Sequence, residues 1–130
     1  MPYIRISLMV PKAGRINEAG RLLDAVTLHC EGQPGFIKGY RLEPSDDSGL
    51  IGRVTIWENE HSADEVARSE RMLALRSALN EVVRKGSHQE RGFWGYDTSN
   101  PAESSGRTAG AELVLEDVLL SVERIIGGAA

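Results

Sequence analysis

Along residues 3–10, YIRISLMV, side chains alternate in type: Ile4, Ile6, Leu8 and Val10 fall on one side, Tyr3, Arg5, Ser7 and Met9 on the other. A period of two marks a strand, and Pro11 and Gly14 end it. The period then lengthens. Ile16, Ala19, Leu23, Val26 and Cys30 recur at spacings of three and four, one apolar stripe along a helix. Gly32, Pro34 and Gly35 stop that helix. FIKGYRLE over 36–43 and LIGRVTIWE over 50–58 return to strand patterning, with the turn formers PSDDSG between them, so the two runs form a hairpin. Ser62-Ala63-Asp64-Glu65 has the form of a capping box opening a second helix. The later stripe of that helix, Met72, Leu75, Leu79 and Val82, is out of phase with Val66, which predicts a break near Ser69. Gly86 closes it, and RGFWGYD over 91–97 supplies a fourth strand.

The order predicts an α+β domain, βαββαβ, over residues 1–98. Residues 99–110 are polar and aperiodic, as a linker is. Beyond them a helical arm is predicted over 111–126, with Leu115, Val118, Leu119, Val122, Ile125 and Ile126 on a broad face and Leu113 and Leu120 nearly opposite. A helix apolar on two sides wants two surfaces to bury against, so the expected role of the arm is to pack on its own domain and on a second subunit.

Composition narrows the picture. The chain of 130 residues carries a formal charge of −4 with basic residues scattered among acidic ones, which argues against a nucleic-acid partner. Its single cysteine, Cys30, rules out an intramolecular disulfide or a cysteine-based zinc site within one chain and fits a reducing compartment. The first strand contains Arg5 and lacks the pattern of a signal peptide, and no apolar run reaches the roughly 18 residues of a spanning helix. The expectation is a cytoplasmic protein with no membrane association.

The element order, together with Gly35-Phe36 at the entry to the second strand and IWENEHSADEVARSERMLALRSAL over 56–79, resembles the antibiotic-biosynthesis monooxygenase family. Over residues 1–98 the resemblance implies a ferredoxin-like fold in a dimeric α/β barrel, hence a homodimer. The family includes cofactor-free oxygenases of phenols and quinols, haem-degrading enzymes and members without assigned activity. The haem-degrading branch depends on an asparagine, a tryptophan and a histidine, and the matching positions here hold Ser7, Val66 and Arg76. Without the helix histidine there is no axial iron ligand at that place, so haem degradation by that route is disfavoured.

Cofactor-free oxygenation asks for an apolar pocket, a base that ionises the substrate, and cations or donors that hold the resulting anion near dioxygen. Arg5 and Ser7 share one face of the first strand, and Arg53, Thr55 and Trp57 one face of the third; in the implied architecture these strands are neighbours. The expected ligand-binding set is Arg5, Ser7, Arg53, Trp57, Met72 and Arg76, with the arginines holding an anion and Trp57 walling an aromatic ring. Arginines at Arg5 and Arg53 equally suit ion pairs at a subunit interface. Of three histidines, His29 reads as a cation at a helix end, His88 as a loop residue, and His61 as the candidate base. No histidine pair has metal-site spacing, and GxGxxG and phosphate-loop patterns are absent, so neither a metal nor a cofactor is expected. The reading is a small dimeric, cofactor-independent monooxygenase of phenol- or quinol-like aromatics; the alternative is a noncatalytic small-molecule-binding or accessory module of the same fold.

Overall fold

A computed structural model of the chain describes residues 1–99; the predicted arm and nearly all of the linker lie outside them. The elements run β1 (Tyr3–Met9), α1 (Ile16–Glu31), β2 (Phe36–Leu42), β3 (Ile51–Trp57), α2 (Glu60–Ala67), α3 (Glu70–Val82) and β4 (Gln89–Trp94). The four strands form one antiparallel sheet in the order β2-β3-β1-β4. This is the ferredoxin-like βαββαβ arrangement, with the second helix split in two. Among the described residues, no helix is long and apolar enough to cross a membrane.

The sheet has two unlike faces. Helices cover the mixed one: Tyr3 and Trp57 pack with Val26, Val66, Met72 and Leu75, while Met9 and Ile51 pack with Leu23, Leu79 and Val82. The other face gathers Ile4, Ile6, Leu8 and Val54, flanked by Tyr40, Leu42, Ile56 and Phe93; every member of that cluster comes from a strand or its edge. The face whose alternation looked purely apolar is thus turned away from the helices. The face carrying Arg5, Ser7 and Arg53 is the one they roof.

The split between α2 and α3 falls where the stripe lost phase. Ser69 has extended backbone (φ −65°, ψ 149°) and caps α3, its Oγ accepting from the Met72 amide at 3.2 Å and donating to the Val66 carbonyl at 2.8 Å. His29 Nε2 lies 3.2 Å from the same hydroxyl, joining the end of α1 to the break. The start of α2 corrects the expected capping box. Asn59, not Ser62, is the N-cap, its Oδ1 accepting from the Ser62 amide at 2.8 Å; asparagine is as good a cap as serine, and it comes first in the chain. Ser62 instead tucks beneath Gly35, whose φ of 84° and want of a Cβ are both required, since a Cβ there would collide with Ser62 Oγ.

Candidate active site

Pairing across β1, β3 and β4 assembles the polar residues of the roofed face. Ser7 stands opposite Arg53 on one side and Glu90 on the other, and Arg5 stands opposite Thr55. Three strands therefore bring Arg53, Ser7 and Glu90 into one row. From above, α3 contributes Met72 and Arg76, α2 contributes Ala63, Val66 and Ala67, and α1 contributes Cys30; with Arg5, Arg53, Thr55, Trp57 and Glu90 these line a partly open cavity. Its volume is about 10 Å³, the room of about one water molecule.

The floor of the cavity is buried and the rim is not. Trp57 is fixed at the floor, its Nε1 donating to Thr55 Oγ1 at 3.0 Å and its ring meeting Phe36 edge-on at 5.3 Å. At the rim, Arg5 donates to Asp64 of α2 at 2.8 Å and to the Tyr3 hydroxyl at 3.0 Å. Burial pulls against the Arg5 charge, but these two bonds outweigh it and hold the guanidinium above its ordinary value. Arg76 donates to Glu90 at 3.0 Å.

Arg53 differs from both. Its side chain is 8% exposed, and its one ion-pair partner among the described residues, Glu90 Oε1, lies 3.8 Å away, beyond hydrogen-bond length. Burial pulls its pKa below the ordinary guanidinium value, yet an arginine stays protonated. Three guanidinium groups meet two carboxylates here, Glu90 and Asp64, which leaves positive charge in excess around a largely apolar chamber. A buried cation at a cavity wall, with its carboxylate partner among the described residues beyond hydrogen-bond length, has the chemistry to hold an anionic oxygen.

The structure brings together five of the six residues expected to bind ligand: Arg5, Arg53, Trp57, Met72 and Arg76 line the cavity. Ser7 is buried beside them in the register, 1% exposed, with no hydrogen-bond partner for its Oγ among the described residues, but it does not line the space. His61, the candidate base, lies on the outer surface of α2 with its side chain 79% exposed, 3.9 Å from Glu65, and does not reach the cavity. Cys30, which the sequence places on the apolar stripe of α1, is also a wall residue; burial pushes its thiol pKa up, so it stays uncharged. Glu90 escaped the sequence reading altogether. Its signal is tertiary: only the placement of β4 beside β1 sets it next to Arg53. Among the described residues, no group of three or more His, Cys, Asp or Glu is arranged to hold a metal ion.

Comparison with known proteins bears on the fold. No family model matches the chain, nor does any curated relative. Solved structures do match. SnoaB, a cofactor-independent oxygenase from Streptomyces nogalater, superposes with a TM-score of 0.66 at 14% identity, over 75% of this chain and 95% of that one. Rv0793 from Mycobacterium tuberculosis gives 0.67 at 18% identity, over 77% and 100%. A candidate antibiotic-biosynthesis monooxygenase from Nitrosomonas europaea gives 0.68 at 12% identity, over 75% and 92%. The chain has the fold of the antibiotic-biosynthesis monooxygenases. Within that fold, the arginine-lined cavity lies between the helices and the sheet, and the apolar face lies on the sheet's other side.

Proposed function

We propose that this chain is a cofactor-independent monooxygenase acting on a phenol- or quinol-like aromatic. The observation that carries the proposal is Arg53, a buried guanidinium on the wall of a partly open cavity, with its closest carboxylate oxygen 3.8 Å away. Such a group stabilises a phenolate more than a phenol, and an ionised, electron-rich ring is what reduces dioxygen without help from a cofactor. The ring would lie against Trp57 and Met72, its oxygen on Arg53. One atom of dioxygen enters the ring as a carbonyl oxygen; the other leaves as water, carrying the ring hydrogen and the hydroxyl hydrogen. A phenol plus dioxygen thus becomes a quinone plus water.

The cavity as it stands holds about one water, so the ring enters only when the Arg5–Asp64 and Arg76–Glu90 pairs at the rim part. Both pairs are partly exposed, where separation costs little. The strand-only apolar face supports a homodimer, since a sheet face of that composition favours burial against a second copy.

The same small volume favours a second reading, a noncatalytic binding or accessory module that keeps the fold without the chemistry. Oxygen consumption with a panel of phenols and quinols separates the two. The expected result is uptake with at least one quinol, reduced about 100-fold or more in Arg53→Ala. Binding without uptake across the panel would establish the module instead.

A further inference from the structure

The proposed reaction begins by removing a proton, and the cavity offers few groups to accept it. Among the described residues that line it, the ionisable ones are Arg5, Arg53, Arg76, Cys30 and Glu90. Arginines remain protonated at neutral pH. Cys30 sits on the buried wall, where desolvation keeps its thiol neutral. His61 is on the outside of α2. Glu90 alone is an acceptor, and its position suits proton transfer. It lies 3.0 Å from Arg76, 3.8 Å from Arg53, and is 25% exposed at the rim where a ring would enter.

We infer that Glu90 is the general base of the site, taking the hydroxyl proton of the aromatic substrate beneath Arg53 and Arg76. This assignment rests on the proposed oxygenase reading and adds to it the residue that ionises the substrate. The substrate O–H bond breaks, its electron pair stays on the phenolic oxygen, and the proton bonds to a Glu90 carboxylate oxygen. Negative charge thereby moves from one oxygen to another under the same two guanidinium groups. Total charge in the cluster is unchanged, so the arginines need not be re-solvated; they exchange a carboxylate partner for a phenolate. The two guanidinium groups that face Glu90 are placed to stabilise the phenolate that the transfer creates. The proton leaves Glu90 with the water that carries off the second oxygen atom.

The test compares Glu90→Gln and Glu90→Asp with the parent chain, using 4-nitrophenol at a mildly alkaline pH, where it is already the yellow anion, and an unactivated quinol. Glu90→Gln should bind 4-nitrophenolate at least as tightly as the parent, because a competing negative charge has gone. Its oxygen uptake with the quinol should fall about 100-fold or more, with the residual rate rising with pH as the quinol ionises in solution. Glu90→Asp should recover part of the rate, and added acetate should rescue Glu90→Ala. A merely structural glutamate would show neither the pH-dependent residual rate nor acetate rescue. Quinol turnover by Glu90→Gln within about tenfold of the parent would overturn the assignment while leaving Arg53 as anion holder. Failure of the parent itself to bind 4-nitrophenolate would overturn the anion site, and the base with it.

Discussion

At the scale of single residues, one buried group and one half-buried group decide how the molecule responds to substitution and pH. Arg53 is a charge largely taken out of water whose carboxylate partner among the described residues stands 3.8 Å away, so it weighs against stability. Glu90 keeps Arg76 at 3.0 Å if Arg53 is removed, and no carboxylate is orphaned. Arg53→Met should therefore melt at the same temperature as the parent or higher, while 4-nitrophenolate binding, followed by its absorbance, weakens about tenfold or more. Equal binding with a large loss of stability would make Arg53 a structural ion-pair partner. The second group is His88, whose pKa burial lowers below the ordinary 6.5, with Arg76 and Arg53 adding to the effect against Glu90. A folded-state pKa below the unfolded one means that the unfolded chain takes up the proton first as pH falls. The contribution of neutral His88 is complete above about pH 6.5 and is lost as pH drops toward the depressed folded value. Urea midpoints measured on either side of pH 6.5 should fall with acidification in the parent and less steeply in His88→Gln; parallel slopes would remove His88 from the acid response.

At the scale of elements, the Ser69 break matters because it aims two helix segments at one cavity. Val66 and Ala67 reach the wall from α2 and Met72 and Arg76 from α3; one uninterrupted helix could not keep both stripes inward, which is why Val66 was out of phase. One hydroxyl serves the Met72 amide, the Val66 carbonyl and His29. Ser69→Ala should cost about 1 kcal/mol in urea denaturation, and it should loosen the cavity wall as well as the helix. A cost indistinguishable from zero would mean that packing of Val66 and Met72, rather than the cap, holds the break. The N-cap of α2 teaches the complementary lesson. A serine and a glutamate at capping-box spacing were visible in the sequence, yet Asn59 three residues earlier takes the role, because the strand already turns there: Glu58 donates to the Gly35 carbonyl at 2.8 Å.

At the scale of the whole molecule, the open balance is between the apolar sheet face and the segment that follows β4. The sequence predicts an arm over 111–126 with five or six aliphatic side chains on its main stripe, each worth roughly 1.5 to 3 kcal/mol when buried, before ordering entropy is subtracted. Residues 99–110 have the length to carry it across to a second copy. Truncation after Pro101 is expected to lower both melting temperature and dimer affinity while the α+β sheet remains folded. Sedimentation and circular dichroism on the truncated and full chains check this; identical behaviour would make the arm an undocked tail, and a compact monomer for the full chain at micromolar concentration would remove the dimer itself.

Periodicity and turn residues determined the order of the elements in residues 1–98, the hairpin, the break at Ser69 and the unlike faces of β1, because side-chain spacing of two or near four is a local property of the backbone; the fourth strand, read over 91–97, instead spans Gln89–Trp94, since its limits are set by pairing with β1. Periodicity also put Arg5 on one face of β1 and Arg53 and Trp57 on one face of β3; the family resemblance made those strands neighbours, and only the structure showed that the helices cover that face. Only tertiary structure decided the rest. Which histidine or carboxylate faces the cavity depends on helix rotation and on strand register between segments far apart in the chain, as Ser7 and Glu90 are. That is why His61, attractive by its position beside a helix start, ends in solvent, and Glu90, just outside the fourth strand as the sequence marks it, ends between two arginines.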